Sequence, residues 1–326
     1  MEEYGVYALL GVSTLLGLGL LNRHFNGGVN VHKPSQEGKL IVITGANAGL
    51  GYVAAEELAK SGARVILACR DEARGQAAVN KIKEKTLSQH VEYMNLDLDD
   101  LDSVAAFNKA FRAKGYKKID TLMMNAGIMA LPTRETSKQG FEKQFGVNHI
   151  GHFLLATLLF DKVKAAPEGR IIVTSSNAHK RWTKTINWDD MGWEKTYNGF
   201  QAYSMSKLSN VYFTRQLAKK LEEKGIDNVK VVSLHPGVVR TELGRYMMTG
   251  WKWFMMSPII PLFFLCSKPV WYGAQTQLHC ALCPFAELEN GKYYSDCAVK
   301  AETLNDNWEE EAKKLWDYSE NAVKKW

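Results

Sequence analysis

Tyr203 and Lys207, in the run Ala202-Tyr-Ser-Met-Ser-Lys207, are the side chains best suited to proton transfer in this 326-residue sequence. Four residues apart, they share one face of a helix, where an ammonium can stabilise a phenolate and draw its ordinary pKa of about 10 towards working pH. Such a pair by itself is common as a plain surface contact. It gains meaning from Thr44-Gly-Ala-Asn-Ala-Gly-Leu-Gly51 upstream. That turn follows an apolar run and precedes an amphipathic stretch, Tyr52 to Lys60, so Gly45, Gly49 and Gly51 would let the backbone close on a pyrophosphate at a helix N-terminus. The chemistry is a proton donor beside a nucleotide.

The elements that must position these groups are readable from periodicity. Short β-rich runs (Leu40–Thr44, Arg64–Ala68, Val91–Asn95, Asp120–Met124, Arg170–Thr174, Val229–Ser233) alternate with helix-length amphipathic stretches. Alternation of this kind gives a doubly wound, Rossmann-type parallel sheet covered by helices on both faces. Ligands bind outside the carboxyl ends of such strands, where the glycine turn, Asn125, Ser176 and His235-Pro-Gly237 all fall. After the second strand the chain reads Ala68-Cys69-Arg70 instead of offering a carboxylate to a ribose. Arg70 is suited to a 2′-phosphate, so NADP is expected over NAD. Asp97, in Asn95-Leu-Asp-Leu98, is placed to meet the adenine, with a helix cap as the plain alternative.

Composition bounds the rest. With 46% apolar and 23% charged residues, the chain can bury one large α/β core, and the net charge of +6 is spread over short pairs such as Lys117-Lys118. Nucleic-acid binding is not indicated, whereas a mildly basic balance suits an anionic membrane or a phosphorylated cofactor. Five cysteines without framework spacing point to a reducing compartment, and Cys280-Ala-Leu-Cys283 lacks a second ligand pair, so no metal is expected. Tyr4 to Leu21 are eighteen positions without a charge, spanning about 27 Å as a helix. A retained anchor over 1–25 is favoured over a signal peptide, because Glu2 and Glu3 open the chain and no cleavage pattern follows. A linker over 26–37 and a Rossmann-type domain over 38–326 complete the expected organisation. Arg23, Lys33 and Lys39 place that domain on the cytosolic or matrix side, with endoplasmic reticulum and mitochondrion both open.

Six ordered motifs now resemble one family, the short-chain dehydrogenases/reductases, and within it the membrane-anchored retinol dehydrogenase-like branch. They are the glycine turn, Met124-Asn-Ala-Gly127, Asn148-His-Ile-Gly-His-Phe-Leu155, Val173-Thr-Ser-Ser176, Tyr203-Ser-Met-Ser-Lys207 and His235-Pro-Gly-Val-Val-Arg-Thr241, and the resemblance covers roughly residues 38 to 300. It implies that Tyr203 is the general acid or base, that Lys207 lowers its pKa and holds the nicotinamide ribose, and that Ser176 hydrogen-bonds the reacting oxygen. Asn148 would help hold a water chain. The cofactor cradle it implies comprises Gly45, Asn47, Gly49, Leu50, Gly51, Arg70, Asp97, Leu98, Asn125, Ala126, Gly127, Tyr203, Lys207, Pro236, Gly237, Val239 and Thr241. Tyr52 stands where close relatives often carry a basic residue, which removes one phosphate contact. The segment Arg181 to Asp190 lengthens the path from Ser176 to Tyr203, as in that branch.

On the substrate side, residues 244–273 are rich in Trp, Phe, Met, Ile and Leu but broken by Pro258, Pro261 and Pro269, too short and interrupted to cross a bilayer. A hydrophobic lid over a lipophilic carbonyl or alcohol (retinoid, steroid or lipid aldehyde) is preferred to an interface with a partner protein. Two further readings stay open. One is an accessory structural or regulatory subunit of a larger membrane assembly that keeps the fold; the other is a soluble NAD-dependent alcohol dehydrogenase with a cleavable leader. Homo-oligomerisation is common among relatives, but no interface is legible in the pattern.

Overall fold

The computed structural model describes residues 25–241, 243 and 267–326. All of the expected anchor over 1–25 except Phe25, and most of the expected lid over 244–273, therefore lie outside the described residues. No helix among the described residues is long and apolar enough to cross a membrane.

The strands are β1 (Leu40–Thr44), β2 (Arg64–Cys69), β3 (Val91–Asn95), β4 (Thr121–Met124), β5 (Gly169–Thr174), β6 (Val229–His235), β7 (Tyr293–Ser295) and β8 (Ala298–Lys300). They form one sheet in the order β3-β2-β1-β4-β5-β6-β7-β8. β1 to β7 pair in parallel, and β8 turns back antiparallel to close the edge. The order reverses between β1 and β4, which opens a crevice at their carboxyl ends.

Successive side chains of a strand point to opposite faces, and β1 shows this directly. Leu40 and Val42 join the core under α3 (Leu101–Ala113), α4 (Gly151–Lys164) and α5 (Gly199–Glu223). Ile41 and Ile43 join the opposite core under α1 (Gly49–Lys60), α2 (Glu72–Thr86) and α6 (Val270–Leu282). All five β1 residues are buried, the signature of a strand covered on both sides.

Helix starts follow local chemistry. Asp71, Asp100 and Asn198 accept backbone N–H bonds at the starts of α2, α3 and α5. The expected helix from Tyr52 starts earlier, at Gly49, because Ala48 is extended and the last two glycines of the turn already belong to the first helical turn. Its N-terminus has no side-chain cap.

The last helix, α6's successor α7 (Trp308–Ala322), packs along α5. Tyr212 Oη donates to Glu311 Oε2 at 2.9 Å, Trp316 stacks on Phe213 at 5.7 Å between centroids, and His149 Nε2 lies 2.9 Å from Ser319 Oγ. Before β1, the backbone N–H of Asn30 donates to Gln275 Oε1 and that of Gln36 to Ser61 O, so this stretch runs along the body of the domain. Gly28 sits against the turn between β7 and β8, where a β-carbon on it would fall 2.1 Å from the Asp296 carbonyl oxygen. Asp296 in turn accepts from Lys268 Nζ at 2.6 Å.

Candidate active site

Thr44, the last residue of β1, organises the crevice. Its Oγ1 accepts from the backbone N–H groups of Asn125 and Ala126, each at 2.9 Å, and its carbonyl accepts from Asn125 Nδ2 at 2.9 Å. The glycine turn and the Asn125-Ala-Gly127 loop are thereby joined. A β-carbon on Gly51 would lie 2.6 Å from Asn125 Nδ2 and 2.7 Å from Gly45 O, so only glycine lets these segments meet. Asn125 Oδ1 is buried without a partner.

The Pro236-Gly237 loop closes the same crevice from the β6 side. Thr241 Cγ2 is 3.5 Å from the place of a β-carbon on Gly49, and Val239 and Leu50 converge on Gly273 of α6. At the end of β2, Arg70 is exposed and its carbonyl accepts from Asn95 Nδ2 at 3.2 Å. Asp97 is half-buried; its carboxylate accepts from Asp99 N at 3.0 Å, while the cap of α3 falls to Asp100. Leu98 is buried against Gly151, and Asn47 stays half-buried in the turn. Tyr52, on α1, has the ammonium groups of Lys81 and Lys85 at 5.7 and 5.6 Å from its ring, so positive charge reaches this side from α2.

Asn148 occupies a π turn, Gly146–Ile150, where Gly151 N–H reaches back to Gly146 O. Its amide is fully engaged: Oδ1 accepts from Ile128 N at 2.9 Å, and Nδ2 donates to Ile128 O at 3.0 Å and Ser206 Oγ at 2.9 Å. A β-carbon on Gly127 would sit 3.2 Å from Asn148 Oδ1 and 3.4 Å from Lys207 Nζ, which brings three of the six motifs to one point. Ser176, two residues beyond β5, accepts from Ala178 N at 3.1 Å and acts on the Tyr203 phenol in favour of the phenolate.

Tyr203 and Lys207 lie on the buried face of α5, 4% and 3% exposed. Lys207 Nζ donates to Thr174 O at 3.0 Å, beside Asn210 Nδ2, which donates to the same carbonyl at 3.1 Å. The expectation that the ammonium draws the phenol down is reversed. Burial disfavours the charged form of each group, pushing Tyr203 up to about 12, with the Ser176 hydrogen bond opposing, and Lys207 down to about 8. At neutral pH the phenol therefore holds its proton and the amine is still charged, the state suited to donating a proton to a carbonyl oxygen.

Residues absent from the sequence-derived set also build the site. Thr44, Ser206, Asn210 and His152 supply the bonds that hold its members, and His152 had a usable signal, four residues beyond Asn148 in the same motif. The residues fit a dinucleotide: an uncapped helix N-terminus, a glycine crossing that admits no side chain, and an exposed guanidinium at the ribose end of β2.

A phenol and an amine at the carboxyl edge of a doubly wound sheet mark an NAD(P)-dependent oxidoreductase. Comparison with known proteins narrows the class. The short chain dehydrogenase family profile matches residues 39–250. Human retinol dehydrogenase 11 is 41% identical over 300 residues, covering 92% of this chain and 90% of that protein. Human retinol dehydrogenase 13 is 40% identical over 325 residues, covering 99% of this chain and 96% of the relative. Among solved structures, a protein from Mycobacterium paratuberculosis superposes with a TM-score of 0.70 at 32% identity, covering 91% of this chain and 98% of that one. Pseudomonas aeruginosa RhlG, solved as an NADP active-site complex, shares the fold with a TM-score of 0.60 at 20% identity, over 79% of this chain and 94% of that one. This chain belongs to the short chain dehydrogenase family.

Proposed function

We propose that the chain is a membrane-anchored, NADP-preferring enzyme that moves hydride between nicotinamide and a lipophilic carbonyl or alcohol, with retinoids the first substrates to test. One observation carries the reading: Tyr203 and Lys207 are buried on one face of α5, with Lys207 Nζ and Asn148 Oδ1 meeting at Gly127 beside the glycine-lined crevice. The retinol dehydrogenase names of relatives about 40% identical along nearly the whole chain supply the substrate class. The apolar composition of 244–273 suits such a molecule.

In this reading the nicotinamide supplies or accepts the hydride. Tyr203 gives its proton to the carbonyl oxygen in reduction, and Ser176 donates a hydrogen bond to the same oxygen. Lys207 holds the ribose hydroxyls and, while charged, stabilises the phenolate left behind. Asn148 acts through its backbone, because its amide is committed to Ile128 and Ser206. Gly45, Asn47, Gly49, Leu50 and Gly51 would hold the pyrophosphate, Arg70, Asp97 and Leu98 the adenosine, and Asn125, Ala126, Gly127, Pro236, Gly237, Val239 and Thr241 the nicotinamide end. Arg70 favours the 2′-phosphate. Residues 1–25 tether the domain, which faces the cytosol or the matrix.

The test is purified full-length protein with NADPH or NADH against all-trans-retinal, steroid ketones and long-chain aldehydes, with Tyr203→Phe as control. Turnover of at least one class, lost in the control, is expected. No turnover of any, with membrane assembly intact, favours the accessory-subunit reading. Carbonate extraction tests the tether: recovery in the soluble fraction removes it.

A further inference from the structure

We propose that His152 is a positioning residue that locks the dinucleotide turn to the proton-transfer side of the site, and that it does so as one fixed neutral tautomer. The ring is buried, 1% exposed, on the first turn of α4. Its Nε2 lies 2.9 Å from Thr44 Oγ1 and its Nδ1 lies 3.1 Å from Asn148 O. No other described side chain bridges these two segments.

Hydrogen-bond balance assigns the proton. A hydroxyl has one hydrogen and two lone pairs. Both lone pairs of Thr44 Oγ1 are taken by the N–H groups of Asn125 and Ala126, so the hydroxyl must give its hydrogen away. The nearer acceptor is His152 Nε2 at 2.9 Å, against 3.4 Å to Met123 O. Nε2 is therefore bare, and the proton sits on Nδ1, donating to Asn148 O. A second proton on the ring would face a hydroxyl with no lone pair left. Burial and the nearby Lys207 charge disfavour it as well.

The bond to Asn148 O falls where the helix needs it. In the π turn the ladder slips from the usual four-residue to a five-residue reach, and the imidazole supplies an additional donor to the Asn148 carbonyl. From there the path runs through Asn148 Nδ2 to Ser206 Oγ at 2.9 Å and from Ser206 Oγ to Tyr203 O at 2.7 Å. One ring thus couples the loop that receives the nucleotide to the backbone of the residue that moves the proton.

This inference rests on the proposed function, and binding separates the two. The dinucleotide Kd is read by fluorescence titration of full-length protein, alongside kcat for a retinoid or aldehyde and thermal unfolding. His152→Phe keeps the ring and removes both bonds; His152→Asn keeps a donor for Asn148 O but loses the acceptor for Thr44. The phenylalanine variant is expected to weaken dinucleotide binding about tenfold or more and to lower kcat by a similar factor. The asparagine variant should recover most of kcat while keeping the weaker Kd, a split that a general loss of packing does not produce. Two folded variants within twofold of wild type in both Kd and kcat, or equal losses tracking unfolding temperature alone, overturn the role. Wild-type protein that binds no dinucleotide overturns the parent reading with it.

Discussion

Lys207 Nζ lies 5.6 Å from the centre of the Tyr203 ring and 3.0 Å from the carbonyl of Thr174. The amine is thus anchored on β5 and reaches the phenol over its face, so it can influence the tyrosine without being its hydrogen-bond partner. Separate anchoring means the two groups can be tested independently.

Replacing the phenol removes the proton and keeps the ring. Tyr203→Phe should lower kcat by roughly 100- to 10,000-fold with the dinucleotide Kd nearly unchanged. Single-turnover and binding measurements on the same preparation check both halves.

The Lys207 amine titrates at about 8, pushed down by burial, whereas Tyr203 stays protonated until about 12. Below pH 8 the amine carries its charge, and above it the charge is lost. kcat/KM for the dinucleotide should therefore fall on the alkaline side of about pH 8, and Lys207→Met should abolish that limb along with most activity. A profile flat from pH 7 to about 10 contradicts the assignment.

Close approach at the glycines makes a paired prediction. Gly51→Ala drives a methyl into Asn125 Nδ2 and Gly45 O, and should cost about 1 to 3 kcal/mol of stability and weaken dinucleotide binding. Gly127→Ala points at Asn148 Oδ1 and Lys207 Nζ at more tolerable separations, so turnover should suffer more than folding. Urea titration beside steady-state kinetics separates them.

In the proposed function, Arg70 sets coenzyme choice. Charge-assisted bonds contribute about 1.5 to 3 kcal/mol, so Arg70→Ala should reduce the NADPH-to-NADH preference by roughly tenfold or more. The ratio of the two kcat/KM values is the readout.

Acid should destabilise the fold earlier than its carboxylates alone would require. His149, His152 and His235 are held neutral by burial, at about 3, 4 and 4, against an ordinary value of 6.5. Between those limits the unfolded chain takes up protons that the folded one refuses, so stability is full above about pH 6.5 and is lost as pH falls towards 4. Three such groups give a slope of up to about 4 kcal/mol per pH unit. Urea midpoints at pH 7 and pH 5 measure it.

Much of this was legible beforehand, for a physical reason. A strand such as Leu40–Thr44 starts and stops where expected because a β-branched and apolar run buried on both faces leaves little choice of period. The Tyr203–Lys207 spacing survives because it is local to one helix. What stayed hidden depends on distant partners or on depth. Ser319 meets His149 across 170 residues, and Asn148 gives its amide to the Ile128 backbone, neither of which periodicity encodes. The upward push on Tyr203 is hidden from the sequence because charge pairs are visible there while desolvation is not.

Gly28 pressed on Asp296 has a bearing on traffic. Asp296 caps the carboxyl end of β7 and is paired to Lys268, whose aliphatic stem lies against the Pro236-Gly237 loop. The amino-terminal end of the described chain therefore leaves the body at the rim beside the nucleotide crevice and not at the far pole. A mooring upstream of it would turn that mouth towards its own surface, so that oily molecules could arrive by sideways diffusion without a passage through water.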